Sequence, residues 1–229
     1  MTEGRTIAIG DVHGCSMALA AIVDTIEPTP LDTLVFLGDL IDRGPDSRAV
    51  VEQVMALSER CIVVPILGNH EEMMLASLEG QSDGRFWYQF GGRETMASYG
   101  CGGALPPGPD NLRALIPSEH LRFVTGCRDY WETVRHIFAH ANYEADRPLN
   151  EQPWGGLRWE SLPSEPKPHC SGKTAVVGHT AQTGGEVLDL GFVKCIDTFC
   201  HGGGWLTALE VETGKTWQAN MVGVLRERP

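Results

Sequence analysis

Three short motifs carry residue types suited to chemistry, and each stands directly behind an apolar run typical of a buried strand. The motifs are GDVHG at residues 10–14, GDLIDRG at 38–44 and GNHE at 68–71. Together they supply carboxylates, imidazoles, an amide and an arginine. Oxygen and imidazole donors hold divalent cations, and an arginine fork matches phosphate oxygens. The three motifs in this order therefore predict metal-assisted chemistry on a phosphoryl group.

Six side chains form the candidate set of metal ligands. They are Asp11, His13, Asp39, Asn69, His140 and His179. The two late histidines again follow strand-like runs, and Asp39 is the natural bridge between two metals because its motif is central. Carboxylate, amide and imidazole ligation without a thiolate suits manganese or iron, with zinc as a further candidate. We therefore predict two divalent metal ions, with Mn²⁺ favoured.

The remaining motif residues predict how catalysis proceeds. A hydroxide held between two metals about 3.5–4 Å apart is a nucleophile at neutral pH and can attack phosphorus in line. Arg43 offers a fork for the phosphate oxygens, and Asn69 is expected to contact substrate as well as metal. His70 is the candidate proton donor to the leaving alkoxide. Asp42 is expected to hold the imidazole of His70 and not to bind metal.

The elements that must position these residues alternate along the first eighty residues. Strand-like runs at 6–9, 33–37 and 61–67 alternate with helical patterns at 16–26, 50–55 and 71–78. Ser16 is expected to cap the first helix. A β-α-β-α-β-α series predicts a largely parallel sheet, and ligands bind beyond the carboxyl ends of such strands. All three motifs lie at those ends.

The rest of the chain does not continue this alternation of strands and helices. Residues 81–126 predict a mainly helical insertion, in which Ser118 caps a short helix, and the proline-rich residues 150–171 predict a loop. Further strands are predicted at 130–134, 136–140, 174–177, 186–190, 193–196, 205–211 and 216–219. Their hairpins favour a second sheet, mixed or antiparallel. With 229 residues, we expect one domain spanning 1–229.

Composition argues against several partners. The formal net charge is −12 and no run of lysine and arginine occurs, so nucleic acid and anionic membrane surfaces are poor partners. The seven cysteines contain no Cys-x-x-Cys pair. The amino terminus does not resemble a signal peptide, and no apolar stretch is long enough to span a bilayer. We therefore expect a cytoplasmic protein.

The chain resembles the phosphoprotein phosphatase family of calcineurin-like metallophosphoesterases, and most closely its bacterial and phage serine/threonine phosphatase branch. That family carries Gly-Asp-x-His-Gly, Gly-Asp-x-x-Asp-Arg-Gly and Gly-Asn-His-Glu, followed by two metal-binding histidines. Segments 87–92, 116–121 and 178–180 are also similar, so the resemblance covers roughly residues 5–220. It implies an α/β fold, a four-layer α/β/β/α sandwich of two mixed sheets flanked by helices, with a dinuclear metal site.

The resemblance also implies a second phosphate-binding arginine between the two late histidines. Arg147 and Arg158 are the candidates, and Arg158 is preferred because residues 154–159 resemble the family's tryptophan-plus-arginine segment. The chain departs from the family at Phe199, where bacterial relatives usually have a small residue. His201 either reaches into the cleft or sits on its rim, and the sequence leaves both readings open.

We therefore expect a metal-dependent phosphomonoesterase that acts on phosphoserine and phosphothreonine in a phosphoprotein or phosphopeptide, without a phosphoenzyme. One alternative is a hydrolase of diadenosine tetraphosphate or another nucleotide, built on the same metal core. Residues 81–126 would discriminate the two, since they either close on a nucleotide or stay open for a peptide. A second alternative is an inactive metal-binding scaffold protein.

Overall fold

Two β-sheets face each other in the computed structural model, which describes residues 4–103 and 108–227. The strands are β1 Thr6–Ile9, β2 Thr33–Phe36, β3 Ile62–Pro65, β4 Tyr130–Glu132, β5 His136–Ala139, β6 Thr174–Val177, β7 Leu188–Asp189, β8 Val193–Cys195, β9 Asp197–Thr198, β10 Trp205–Glu210 and β11 Thr216–Ala219. The first sheet has the order β11-β10-β1-β2-β3, with β9 paired to β10, and the second has the order β4-β5-β6-β8-β7. Both sheets mix parallel and antiparallel pairs.

Helices flank the sheets, so the predicted sandwich of two mixed sheets with flanking helices is confirmed. The helices are α1 Ser16–Ile26, α2 Ser47–Leu57, α3 Asn69–Leu78, α4 Arg85–Trp87, α5 Arg93–Ser98, α6 Pro109–Leu115, α7 Ser118–Thr125 and α8 Trp154–Trp159. A π-helical turn, Tyr88–Gly92, joins α4 to α5. Within 4–103 and 108–227, no helix has the length and apolar character needed to cross a membrane.

The central strands bury both faces through alternate residues. Along β2, Leu34 and Phe36 pack with the apolar residues of α1 and α2, whereas Val35 packs between the sheets. Phe138 of β5 and Val176 of β6 meet Val35 in that inner layer. Because successive side chains of a strand point to opposite faces, a strand covered on both sides must be apolar throughout. This explains why the strands read as unbroken apolar runs.

The last two strands lie in the first sheet, so the prediction that they belong to the second sheet is wrong. β10 pairs antiparallel with β1, with Ile7 opposite Glu210, and β11 pairs with β10. In this position Leu206 and Ala208 pack under the helices, while Leu209 lies between the sheets. An alternating pattern fixes which residues of a strand are buried but not which strand is its neighbour. Only β1, β2 and β3 form the expected parallel series.

Two local predictions about helices are also corrected. Ser16 and Ser118 are the first residues of α1 and α7, and the cap positions before them, Cys15 and Pro117, make no side-chain cap hydrogen bond. Residues 150–171, expected to form a loop, contain α8. The described elements between α3 and β4 are helical. That residues 1–229 form one domain with an insertion at 81–126 stays a prediction.

Asp32 stabilises the entry to β2 through a cluster of hydrogen bonds. Its carboxylate accepts from the backbone N–H of Arg5 at 2.8 Å, from Arg5 Nη2 at 2.7 Å and from the backbone N–H of Thr29 at 2.8 Å. Burial by itself raises the pKa of Asp32, but the hydrogen bonds from Arg5 and Thr29 outweigh it and hold that pKa below its ordinary value. The folded state therefore favours the ionised carboxylate.

Replacing Asp32 by asparagine should lower the free energy of unfolding by about 2–3 kcal/mol at pH 7, since hydrogen bonds to a charged group are lost. The depressed pKa of Asp32 means that its contribution is present above its unfolded pKa and declines as the pH falls below about 4. Urea unfolding at pH 7 and pH 3 measures the difference between the two proteins. An equal difference at both pH values would contradict the assignment.

Candidate metal centre

Residues from both sheets meet at one edge of the molecule, beyond the carboxyl ends of four strands. Asp11 and His13 follow β1, Asp39 follows β2, His140 follows β5 and His179 follows β6, while Asn69 begins α3. His179 is half-buried, and the other five are buried. Parallel strands present their carboxyl ends at the same edge of a sheet. The sandwich therefore brings together six side chains that are far apart in the sequence.

Asp39 lies at the centre of this group. Its Oδ2 is 3.5 Å from His13 Nε2 and 3.9 Å from His70 Nε2, and its Oδ1 is 3.4 Å from His140 Nε2. Two sets of side chains have ligand atoms within 4.8 Å of one another: His13, Asp39 and His70, and Asp39, His140 and His179. Asp39 belongs to both sets. This is the geometry that a bridging carboxylate requires.

Three imidazoles are fixed in orientation by backbone carbonyls. His13 donates its Nδ1–H to Ile41 O at 2.9 Å, and His140 donates its Nδ1–H to Leu37 O at 2.7 Å. His179 donates its Nε2–H to the carbonyl oxygen of Trp159 at 3.0 Å. A carbonyl oxygen can only accept, so the opposite ring nitrogen of each histidine is left with its lone pair. Holding a ligating histidine by its other nitrogen is a common feature of metal sites.

The lone pairs of His140 and His179 converge on Asn69. Its Oδ1 lies 3.0 Å from His140 Nε2 and 3.1 Å from His179 Nδ1. All three atoms are acceptors, so they repel one another unless a cation lies among them. Amide oxygen and imidazole nitrogen are both ligands that Mn²⁺, Fe²⁺ and Zn²⁺ accept. The donor set therefore fits a divalent cation here.

Asp11 is held against the end of β6. Its oxygens accept the backbone N–H of His179 at 3.0 and 3.2 Å, and a Cβ on Gly178 would lie 2.0 Å from Asp11 Oδ1. Burial raises the pKa of Asp11 well above its ordinary value, and the negative charges of Asp197 and Asp39 add to the shift. A cation beside Asp11 would oppose this shift. Asp11 is not in either of the two close sets, and its place as a ligand stays a prediction.

The backbone of the site is strained. Among the described residues other than glycine, seven have positive φ, and five of them belong to the predicted site: His13 (44°), Asp39 (49°), Asp42 (73°), Arg43 (67°) and His179 (60°). Such conformations are uncommon and cluster at functional sites. The turn also depends on Gly38, where a Cβ would lie 2.7 Å from the backbone N of Gly68. The tertiary structure thus imposes conformations that these residues do not favour on their own.

Glu71 supports the central loop, a role that was not predicted. Its carboxylate accepts four backbone N–H groups, from Gly68 at 3.0 Å, Asp39 at 2.9 Å, Leu40 at 2.8 Å and Ile41 at 3.2 Å. Burial and the charge of Asp39 raise the pKa of Glu71 to about 7, against the effect of these donors. Glu71 ends the GNHE motif, but nothing local indicates that it would bind a loop thirty residues earlier.

His70 and Asp42 form a buried pair. His70 Nδ1 lies 2.7 Å from Asp42 Oδ2, so Nε2 is left facing Asp39. Asp42 also accepts from Trp87 Nε1 at 2.9 Å and Thr95 Oγ1 at 2.5 Å. Burial alone would lower the pKa of His70, but the charge of Asp39 and the hydrogen bond to Asp42 raise it overall. The hydrogen bond to Asp42 therefore fixes the ring so that Nε2 faces the centre of the site.

Trp87 and Thr95 were missed as supports of the site. Trp87 is a core residue that is 1% exposed, but its indole N–H also binds Asp42. The hydrogen bonds span 45 and 53 residues of sequence. They depend on the packing of α4 and α5 against the 38–44 turn, which no short motif encodes.

Arg43 and His201 lie together beside His13. Arg43 is exposed, and its Nη1 is 3.3 Å from His13 Nε2 and 3.4 Å from His201 Nε2. The ring of His201 packs edge-on against His13 with centroids 4.6 Å apart, and Phe199 packs against His201 at 4.8 Å. His201 therefore contacts the site directly, which the sequence left open.

The two candidate second arginines differ in their surroundings. Arg158 Nη1 donates to Glu72 Oε1 at 2.8 Å, and its Nη2 pairs with Asp129. Arg147 pairs with Glu144 at 2.7 Å, in a part of the structure that supplies no predicted ligand. Arg158 immediately precedes Trp159, whose carbonyl oxygen contacts His179. The guanidinium of Arg158 is held by the carboxylates of Glu72 and Asp129. Its role as a phosphate ligand stays a prediction.

Comparison with known sequences identifies a family and relatives of this chain. Residues 4–189 match the model of the family described as Calcineurin-like phosphoesterase. The symmetrical bis(5'-nucleosyl)-tetraphosphatase of Burkholderia pseudomallei (strain 668) is 45% identical over 74 residues, which are 32% of this chain and 26% of that enzyme. The match thus spans only about a quarter of the relative's length.

Solved structures with the same architecture cover the whole chain. One, assigned by inference as a diadenosine tetraphosphatase, has a TM-score of 0.70 at 21% identity and covers 100% of this chain and 96% of its own. A cold-active protein-tyrosine phosphatase of a psychrophilic Shewanella species has a TM-score of 0.69 at 16% identity, with 98% and 80% coverage. At these identities the similarity establishes the fold alone.

Proposed function

Because this chain belongs to the calcineurin-like phosphoesterase family and is a metallophosphoesterase, we propose that it hydrolyses phosphoserine and phosphothreonine esters in proteins. The observation that carries the proposal is the position of Asp39, whose two oxygens face separate groups of ligands. One carboxylate shared in this way suits a pair of cations. Such a pair neutralises the charge that develops as a phosphate ester is cleaved.

We assign the two metal positions to separate sets of side chains that share Asp39. Asp11, His13 and Asp39 would hold the first ion, and Asp39, Asn69, His140 and His179 the second. When bound, the two ions would lower the pKa of water and neutralise charge on the phosphoryl group. His70 also lies within reach of the first position, but its carboxylate partner and raised pKa suit a proton donor better.

Other residues of the chain would bind the substrate and donate the proton. Arg43, exposed at the edge of the site, would hold phosphate oxygens, and the amide of Asn69 would contact the substrate beside the second metal. His70 would donate its Nε2 proton to the departing serine or threonine alkoxide, while Asp42 keeps the ring in the required tautomer. Arg158 would take part in phosphate binding only after leaving Glu72 and Asp129.

Replacing Arg43 by alanine should raise KM for a phosphopeptide by about 10–100-fold, because hydrogen bonds between charged groups contribute roughly 1.5–3 kcal/mol. Inhibition by inorganic phosphate should weaken by a similar factor. Steady-state kinetics with added phosphate measures both effects. Arg60→Ala, at an exposed position after α2, is the matched control and should change neither. Unchanged phosphate inhibition in Arg43→Ala would contradict the assignment.

Substrate profiling after reconstitution with Mn²⁺ tests the proposed substrate class. The panel comprises a phosphoserine peptide, a phosphothreonine peptide, a phosphotyrosine peptide, diadenosine tetraphosphate and p-nitrophenyl phosphate. We expect the highest kcat/KM for the phosphoserine and phosphothreonine peptides. A higher value for diadenosine tetraphosphate would overturn the proposal.

A dinucleoside tetraphosphate hydrolase is the second candidate function. The 45% identity to the Burkholderia tetraphosphatase favours it, although the match covers 32% of this chain. The same metal site and the same proton donor would serve that reaction. The panel above distinguishes the two candidates because the leaving groups differ, an alkoxide in one case and a nucleotide in the other.

A further inference from the structure

A single carboxylate of α3 holds the end of α8. Glu72 Oε1 accepts from Arg158 Nη1 at 2.8 Å, and Glu72 Oε2 accepts from Trp159 Nε1 at 2.5 Å. The side chains of Arg158 and Glu72 are 11% and 24% exposed, so both are partly buried. Hydrogen bonds to an ionised acceptor are among the stronger ones in proteins. Glu72 thus fixes two successive residues of α8.

The second of those residues fixes a metal ligand. The carbonyl oxygen of Trp159 accepts the Nε2–H of His179 at 3.0 Å, which leaves Nδ1 free to face Asn69 Oδ1 at 3.1 Å. His179 is half-buried and its backbone has a φ of 60°. Of the predicted ligands it has the least support from packing. Its ring orientation therefore depends on where the Trp159 carbonyl lies.

The helix α8 has little stability of its own. The helix comprises six residues, Trp154–Trp159, two of them glycine, and the residue after it is already extended. A helix of this length is not stable in isolation. The Trp154 and Trp159 side chains are 65% and 40% exposed, so burial of these rings does not anchor its ends. Asp129 pairs with Arg158, and the carbonyl of buried Leu157 accepts the backbone N–H of Ala141 at 2.8 Å, but among the described residues Glu72 alone forms a hydrogen bond with the Trp159 side chain.

Both ring nitrogens of His179 face groups that are part of α3 or are held by it. Asn69 is the first residue of α3 and faces His179 Nδ1, and Glu72, three residues later, holds Trp159, which binds His179 Nε2. Residues three apart lie on the same side of a helix. One turn of α3 thus controls both nitrogens of the imidazole.

We propose that Glu72 is a positioning residue for His179, acting through Trp159, and that it sets the affinity of the second metal position. The inference rests on the metal positions assigned under the proposed function. It predicts an effect on one metal position and not on the other, because His13 is held by Ile41, which Glu72 does not contact. A residue that only tied α8 to the domain would affect thermal stability without this selectivity.

Manganese titration of the metal-free full-length protein by calorimetry tests the inference. Glu72→Gln should weaken one of the two Mn²⁺ sites by about 10–100-fold, the usual effect of removing an outer-shell partner, and leave the other unchanged. Trp159→Phe keeps an aromatic ring but removes the N–H donor, and should give the same selective loss. Asp129→Asn is the matched control, since Asp129 pairs with Arg158 and not with Trp159. It should leave both affinities unchanged.

Two results would overturn the inference. One is wild-type affinity at both sites in Glu72→Gln and in Trp159→Phe. The other is an equal selective loss in Asp129→Asn, which would assign the effect to Arg158. A wild-type protein that binds no manganese would refute the assigned metal positions themselves, and with them this inference. That failure appears in the unmutated chain and is therefore distinguishable. Thermal unfolding of the metal-free variants measures any general loss of stability, which would lower Tm without favouring one metal site.

Discussion

Asp39→Asn will lose manganese from both positions and lower kcat/KM by about 10³-fold or more, whatever the best substrate proves to be. The metals contribute several kcal/mol of charge stabilisation, and each 1.4 kcal/mol is a factor of ten in rate. Asp39 is the single carboxylate common to both close sets of ligands, so its loss affects both. Asparagine keeps the shape but removes the charge that offsets the burial of two cations.

Elemental analysis after gel filtration measures the metal content directly. Asp24→Asn, at an exposed position of α1, is the matched control and should retain two metals and full activity. The fold should survive in Asp39→Asn because the amide oxygen can still accept the backbone N–H of His70, now at 3.1 Å from Asp39 Oδ1. Two manganese ions retained in that variant would refute the bridging role of Asp39.

The sequence predicted the location of the site because strand ends can be recognised locally. Asp11, Asp39 and His140 each follow an apolar run, and parallel strands place such positions at one edge. To predict that these strand ends lie together, only the class of fold was needed in addition, and the motifs indicated that class.

The supports of the site were not predictable in this way. Glu71, Trp87 and Thr95 bind the 38–44 turn from segments about 30 to 53 residues away in sequence. The type of each of these residues does not reveal its partner. The same reason explains why the alternating pattern of β10 and β11 was recognised, while the sheet to which they belong was not. Partner choice is decided by tertiary packing.

The first turn of α3 joins the proposed metal positions, the candidate proton donor and their supports. Asn69 faces the second metal position, His70 binds Asp42, Glu71 holds the 39–41 backbone and Glu72 holds α8. Successive side chains of a helix are rotated by about 100°, so one turn can contact several separate segments. A helix start next to a strand end is rigid, and this suits it to keep such groups in register.

His70→Asn will lower kcat on a phosphoserine peptide by about 10²–10⁴-fold while both metals stay bound. The expectation follows from the hydrogen bond between His70 Nδ1 and Asp42 at 2.7 Å, which leaves Nε2 facing the centre of the site. Asparagine cannot deliver a proton to the departing alkoxide. Stopped assays of phosphate release, with metal content measured on the same sample, test both parts of the prediction.

The leaving group provides an internal control for this role. p-Nitrophenolate departs without a proton, so His70→Asn should lose much less activity on p-nitrophenyl phosphate than on the peptide. Asp42→Asn keeps the imidazole but removes its charged partner, and should show the same dependence on the leaving group with a smaller loss. An equal loss on both substrates, accompanied by missing metal, would instead make His70 a ligand of the first position, 3.9 Å from Asp39 Oδ2. The ratio of the two activities therefore separates proton donation from metal binding at one side chain.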